Sequence, residues 1–204
     1  MNRLPPLYAI LDTSWFHDSQ ALFSTVEELM AGGVTFLQYR NKSGNAREML
    51  EQSRELRRKL GKSMTLIMDD RADLCLAAEF DGVHVGQDDL SPAGARKIIG
   101  EILWLGVSTH NPEQVAEADK TFANYIAIGP VFSTASKTNP DPVIGLEGVK
   151  KARALTQKPL VGIGGINRAN CRSVIEAGAD SVAVISDLMR DPRKSAEDFL
   201  RILG

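Results

Sequence analysis

Acidic residues follow two short apolar runs at a spacing that could build a metal site. Asp69 and Asp70 come directly after the run Leu66–Met68, and Asp89 follows the run Gly82–Gly86. Both runs resemble buried parallel strands, whose carboxyl ends meet at one edge of a sheet. Carboxylates that face one another there repel unless a proton or a cation lies between them, and oxygen ligands suit a hard divalent ion such as Mg²⁺.

Helix capping is the alternative interpretation of these acids. Asp70 could cap a helix that starts near Arg71, and Asp89 could cap one that starts near Ser91, because Asp is a preferred N-cap residue. Residue type alone does not separate capping from metal binding. The choice therefore depends on what else lies at the same edge of the sheet.

Length, composition and charge narrow the class of protein. The chain has 204 residues, 43% of them hydrophobic, so we expect residues 1–204 to form a single domain. A net charge of −2 provides no overall attraction to nucleic acid or membrane. Neither cysteine has a metal-binding spacing, and no segment looks like a signal peptide or a membrane span. We expect a cytoplasmic protein with small-molecule substrates, no nucleic-acid partner and no membrane; assembly into a homo-oligomer stays open.

Strand-like and helix-like segments alternate along the whole chain. The predicted strands are Leu7–Leu11, Phe36–Arg40, Thr65–Met68, Val83–Val85, Trp104–Ser108, Tyr125–Gly129, Leu160–Gly164 and Ser181–Ile185. The predicted helices are about 21–31, 45–60, 72–79, 92–99, 112–120, 146–156, 168–177 and 195–203. This alternation is what a closed (β/α)8 barrel, the TIM barrel, requires. The alternative, an open doubly wound sheet, usually carries GxGxxG after its first strand, where this chain has Asp12-Thr13-Ser14.

Basic residues gather at the same predicted rim as the acids. Arg40 ends the second strand, Lys42 lies just beyond it, and Lys137 lies in the long connection 130–144. Long connections are usually lids or binding loops. Cations that converge on a rim with two acidic strand ends indicate a diphosphate held jointly by metal and basic side chains.

The glycine pair at the end of the seventh strand predicts a phosphate site. Gly164 and Gly165 would let the backbone approach an oxyanion, and loops after the seventh and eighth strands of such barrels often bind phosphate. A tight strand-to-helix turn without a ligand is the alternative.

Read together, these residues resemble thiamine phosphate synthase from Leu7 to about Pro192. The motifs that carry the resemblance are Gln38-Tyr39-Arg40-Asn41-Lys42, Asp69-Asp70-Arg71, Asp81 to Leu90, Gly106-Val107-Ser108, Gly129-Pro130-Val131-Phe132 with Thr134 to Lys137, Gly162 to Ile166, and Val184-Ile185-Ser186. Each motif is weak alone. Their order at successive strand ends is highly specific.

The resemblance implies a Mg²⁺-dependent transferase of thiamine biosynthesis. Such an enzyme moves the methylene of hydroxymethylpyrimidine diphosphate to the nitrogen of hydroxyethylthiazole phosphate and releases pyrophosphate. By resemblance, the residues for the pyrimidine diphosphate are Gln38, Arg40, Lys42, Asp69, Ser108 and Lys137, with Lys137, Ser108 and Arg40 acting in catalysis. Those for Mg²⁺ are Asp70 and Asp89, and those for the thiazole phosphate are Thr134, Ser136, Gly165, Ile185 and Ser186.

Three residues depart from the family pattern, and two rival functions stay open. Asp69 stands where many members have Asn, Asn41 where Glu is frequent, and Ser136 where Thr is common. The extra charge of Asp69 could alter recognition of the pyrimidine amino group or supply a third metal ligand. The rivals are a thiazole tautomerase-like isomerase and a non-catalytic barrel that binds phosphate ligands. An isomerase has no use for a metal site that handles pyrophosphate, so the paired acids and cations favour the transferase.

Overall fold

Eight parallel strands form a closed barrel in which each strand pairs with the next along the chain and the last pairs with the first. The structure, a computed structural model, describes residues 4–134 and 141–204. Within these residues the strands are β1 (Leu7–Asp12), β2 (Phe36–Arg40), β3 (Thr65–Asp69), β4 (Gly82–Val85), β5 (Trp104–Thr109), β6 (Tyr125–Ile128), β7 (Leu160–Ile163) and β8 (Ser181–Val184). The predicted TIM barrel is confirmed. The doubly wound alternative is wrong, because an open sheet would leave two unpaired edge strands.

An α-helix follows each strand. The helices of the described ranges are α1 (Ser19–Ala31), α2 (Ala46–Leu60), α3 (Ala72–Ala77), α4 (Pro92–Ile99), α5 (Pro112–Asp119), α6 (Gly145–Leu155), α7 (Cys171–Glu176) and α8 (Pro192–Leu203). Asp18 and Asp191 cap α1 and α8 by accepting backbone N–H groups, so both helices begin earlier than the apolar periodicity predicts. In the ranges 4–134 and 141–204, none of these helices has the length and apolar character needed to cross a membrane.

Two layers of buried side chains result from the alternation of strand residues. In β2, Leu37 and Tyr39 pack outward in the large core beneath the helices. Phe36 belongs to the smaller core inside the barrel, and Gln38 on the same face bonds there to Tyr8. Tyr8 meets the Phe36 ring edge to face, with ring centroids 4.7 Å apart. Because side chains fill this part of the barrel, a ligand has room only at the end where the strands finish.

Candidate active site

A cavity of about 610 Å³ opens at the carboxyl ends of the strands. It is lined by every predicted site residue that the structure describes: Gln38, Arg40, Lys42, Asp69, Asp70, Asp89, Ser108, Thr134, Gly165, Ile185 and Ser186. Ser136 and Lys137, both predicted from the sequence, lie outside the described residues. Closing the barrel therefore brings to one cavity polar residues that lie at the ends of six different strands or just after them.

The acidic strand ends meet, as the sequence predicts. The Asp70 and Asp89 side chains line the same cavity, close enough for Asp89 to raise the pKa of Asp70, and the Asp70 backbone N–H donates to the His84 carbonyl oxygen of β4 at 2.8 Å. Asp70 adopts a φ of 60°, in the left-handed region. That conformation costs a non-glycine residue of order 1–3 kcal/mol, and residues held in it cluster at functional sites.

The capping interpretation of these two acids is wrong. The N-cap of α3 is Arg71 and has no side-chain cap, so Asp70 does not serve that helix. Ser91 caps α4, its Oγ accepting from the Gly94 N–H at 3.2 Å. Asp89 instead accepts the backbone N–H of Gly86 at 2.8 Å, a contact that holds its carboxylate over the turn after β4.

Two cations lie among these carboxylates. Lys42 Nζ is 2.8 Å from Asp69 Oδ2 and also contacts Asp70 Oδ2. Arg40 bonds to Asp12 at the end of β1, and its Nε is 3.8 Å from Asp69 Oδ2. The pairing of Arg40 with Asp12 was not predicted, because it joins strand ends that are far apart in the chain. These pairs hold both cations at the cavity.

Burial has the largest single effect on the pKa values of Asp69, Asp70 and Lys42. It raises the pKa of Asp69, against the opposing effect of Lys42 and Arg40. For Asp70, burial, the charge of Asp69 and the hydrogen bond with Asp89 raise the pKa to about 6. Burial lowers the pKa of Lys42, but the two carboxylates raise it more, so the net pKa lies above the ordinary value. Crowded carboxylates with raised pKa values bind an added cation favourably.

One buried carboxylate oxygen lacks a proper hydrogen bond. Asp69 Oδ2 has no partner of good geometry among the residues described, although Lys42 Nζ lies 2.8 Å away. The 2.8 Å separation is an ion pair. An oxygen of this kind has unused capacity to bind a cation or a ligand N–H.

A chain of hydrogen-bonded polar side chains extends from the wall of the cavity into the barrel interior. Gln38 donates to the Tyr8 hydroxyl, which bonds to the Tyr125 hydroxyl, and both distances are 2.9 Å. His84 bonds to Tyr125 through Nδ1 at 3.0 Å and to Ser108 through Nε2 at 2.8 Å. These contacts place His84 in the barrel interior, and the sequence did not reveal the roles of the two tyrosines. A hydroxyl within an otherwise apolar strand was the available signal, because a buried phenol needs a partner.

The glycine turn after β7 adopts the backbone conformation that its sequence requires. Gly164 and Gly165 have φ values of 94° and 65°. A Cβ at Gly165 would lie 2.4 Å from the Ser133 carbonyl oxygen, so only glycine fits. Ile185 and Ser186 lie at the same side of the cavity, where a 3₁₀ helix of residues 186–188 begins. The turn can therefore bring backbone N–H groups close to an oxyanion.

His110 connects two segments at the rim. Its Nδ1 donates to the Gly129 carbonyl oxygen at 2.7 Å and lies 3.4 Å from Asp141 Oδ2. The sequence offered no evident acidic partner for His110, because Asp141 is remote along the chain. The contact places a polar ring at the start of the connection after β6.

In its fold and its site the chain is a TIM barrel whose charged and polar side chains gather in one cavity at the carboxyl ends of the strands. A family model described as thiamine monophosphate synthase matches residues 7–188. The chain belongs to the thiamine monophosphate synthase family. Membership carries the activity of a transferase in thiamine biosynthesis.

Individual relatives agree with this membership. The chain is 59% identical over 204 residues to thiamine-phosphate synthase of Koribacter versatilis, covering 98% of this chain and 97% of that protein. It is 39% identical over 200 residues to thiamine-phosphate synthase 1 of Aquifex aeolicus, covering 96% and 91%. The solved structure of thiamine phosphate pyrophosphorylase from Pyrococcus furiosus superposes with a TM-score of 0.85 at 36% identity, covering 97% and 94%.

Proposed function

We propose that this chain joins hydroxymethylpyrimidine diphosphate to hydroxyethylthiazole phosphate, with Mg²⁺, and releases pyrophosphate. One observation carries the proposal: Asp70 and Asp89 follow neighbouring strands and line the same cavity, with Lys42 paired to Asp70, and that cavity also contains the glycine turn at Gly165. One cavity thus offers a cation site beside an anion site. A reaction between a diphosphate and a phosphate ester needs both.

The residues present fit Mg²⁺. Within residues 4–134 and 141–204, no group of three or more His, Cys, Asp or Glu side chains could enclose a metal without help. Mg²⁺ is usually bound by one or two carboxylates together with water and substrate phosphates, so a two-carboxylate site is the expected type. Asp70 and Asp89 would hold the ion, and Asp69 lies in the same cluster, paired with Lys42. When bound, Mg²⁺ neutralises charge on the diphosphate.

The cations of the chain act on the leaving group. Negative charge grows on pyrophosphate as the bond to the methylene carbon breaks, and a positive charge develops on the pyrimidine. Arg40 and Lys42 stabilise the leaving charge from fixed positions, joined by Lys137 from the connection after β6. Ser108 contributes a hydroxyl at the end of β5. No general base is required, because the thiazole nitrogen is already a nucleophile.

The thiazole phosphate occupies the opposite side of the cavity. Its phosphate binds the backbone at Gly165, Ile185 and Ser186, with hydroxyl groups from Thr134 and Ser136 completing the site. The left-handed backbone at Gly165 supports this role, since it leaves the peptide open to close approach. Gln38 and Asp69 then remain for the pyrimidine ring.

Two rival functions predict different results in one experiment. The purified protein is incubated with both phosphorylated heterocycles, with MgCl2 or with EDTA, and thiamine phosphate and pyrophosphate are measured. We expect both products in equal amounts with MgCl2 and neither with EDTA. Isomerisation of the thiazole alone would replace the proposal with the tautomerase-like function. Binding without any turnover would replace it with the non-catalytic phosphate-binding barrel.

A further inference from the structure

We propose that Tyr8, Tyr125 and His84 are positioning residues that fix the direction in which Ser108 and Gln38 hydrogen-bond to the pyrimidine diphosphate. This inference deepens the proposed function and rests on it. The three residues form the middle of a continuous chain that runs Gln38–Tyr8–Tyr125–His84–Ser108. Only the two ends of the chain lie among the groups assigned to the substrate.

The three middle residues of the chain are buried and tightly packed. Tyr8, Tyr125 and His84 are 1%, 0% and 6% exposed, so bulk water does not compete for their polar atoms. The absence of a side chain at Gly106 makes room for the central rings. A Cβ there would lie 2.1 Å from Tyr125 Cζ and 2.4 Å from His84 Nδ1. The rings therefore have little freedom to adopt another arrangement.

The direction of every bond follows from the Gln38 end. Burial raises the pKa of Tyr8 and of Tyr125, so each phenol keeps its single hydrogen. The Gln38 amide nitrogen donates to Tyr8 and cannot accept, so the Tyr8 hydrogen must go to the Tyr125 oxygen, its other partner among the residues described. The Tyr125 hydrogen must then go to His84 Nδ1.

These hydrogen-bond directions fix the tautomer of the His84 ring. With Nδ1 accepting, the ring hydrogen lies on Nε2 and is donated to Ser108 Oγ. A hydrogen on Nδ1 would leave the buried Tyr125 hydrogen without an acceptor, which costs about 1–3 kcal/mol. Because Ser108 Oγ accepts from the barrel interior, its own hydrogen is available to the cavity.

The chain thereby couples two substrate contacts on opposite sides of the barrel. Ser108 donates a hydrogen bond to the substrate, and an oxygen of the departing diphosphate can accept it. Because the Gln38 nitrogen is bonded to Tyr8, its Oε1 faces the substrate as an acceptor. The amino group of the pyrimidine can donate a hydrogen bond to it. Reversing either end requires turning the amide, both phenols and the imidazole tautomer together. The direction of the chain thus selects an amino-bearing ring that carries an anionic leaving group.

A double-mutant cycle tests whether Tyr125 acts through Ser108. Tyr125→Phe keeps the ring and removes the hydroxyl, and we expect kcat to fall about 10-fold. In a Ser108→Ala background the same substitution should cause a smaller fold-loss, because one of the two groups that it directs is gone. Tyr39→Phe is the matched control: Tyr39 is also fully buried, but its hydroxyl bonds to Gln52 and Asn41 outside the cavity, so kcat should stay at the wild-type value.

A wild-type kcat for Tyr125→Phe would overturn the proposal. The same fold-loss in both backgrounds would also overturn it, since the hydroxyl would then act by a route that does not include Ser108.

A spectroscopic measurement tests the chain without turnover. In the ¹⁵N-histidine-labelled wild-type protein, the nitrogen shifts of His84 should be those of a neutral ring with its hydrogen on Nε2. A hydrogen on Nδ1, or on both nitrogens, would refute the proposed direction even if the enzyme is active. Because this result needs no substrate, it separates failure of the chain from failure of the proposed function, and it also decides the case if Tyr125→Phe does not fold.

Discussion

Replacing Lys42 with Met should destabilise the Mg²⁺-free protein, because Lys42 is the cation that compensates two partly buried carboxylates. Its Nζ lies 2.8 Å from Asp69 Oδ2 and contacts Asp70, and the side chains of Lys42 and Asp69 are 47% and 10% exposed. Breaking a fully buried ion pair costs about 3–5 kcal/mol, whereas an exposed pair contributes about 0–1 kcal/mol. With Lys42 half-exposed, we expect a loss of about 1–2 kcal/mol.

The magnitude translates into a measurable shift of the melting temperature. For a chain of this size, about 1 kcal/mol corresponds to about 2–4 °C, so Lys42→Met should melt about 2–8 °C below wild type in EDTA. Saturating MgCl2 should raise the Tm of the variant more than that of wild type, because a bound ion replaces the missing positive charge. Thermal unfolding followed by circular dichroism in EDTA and in MgCl2 measures both quantities.

A second lysine on the surface provides the control for this prediction. Lys150→Met removes an exposed cation of α6, whose Nζ lies 2.7 Å from Glu147, and should leave the Tm unchanged in both buffers. If Lys42→Met melts with wild type in EDTA, Lys42 does not stabilise the carboxylate cluster. If MgCl2 shifts wild type and variant equally, the ion binds elsewhere.

The remaining predictions concern the metal and phosphate sites. Asp70→Ala or Asp89→Ala should abolish Mg²⁺-dependent pyrophosphate release while leaving the barrel folded by circular dichroism; wild-type turnover in either variant would remove that residue as a ligand. Mg²⁺ affinity should fall as the pH drops through about 6, because burial and the charge of Asp69 raise the pKa of Asp70 to about 6 and a proton then competes with the ion. Calorimetric titration with MgCl2 checks this, and a pH-independent affinity would contradict it. Gly165→Ala should weaken hydroxyethylthiazole phosphate binding about 10-fold in the same assay, since its Cβ would lie 2.4 Å from a carbonyl oxygen. Gly61→Ala, also at positive φ but with open space around the new Cβ, should bind as wild type does.

Local sequence patterns are enough to predict the barrel and most of the residues that surround its cavity. Alternating apolar runs and helical segments are local patterns, and a strand end is recognisable from the residues next to it. That is why Arg40, Asp70 and Ser108 could be assigned to one rim before the structure was known. Helix starts were less accurate where an aspartate cap precedes the apolar periodicity, as Asp18 does at α1.

Which of these groups touch depends on the folded barrel. Whether Asp70 and Asp89 cap helices or face one another depends on the pairing of β3 with β4, which adjacent residues do not encode. The bond between Tyr8 and Tyr125 joins residues 117 positions apart. Such contacts form because barrel closure fixes strand register and forces buried polar atoms to find partners among whatever side chains share the interior.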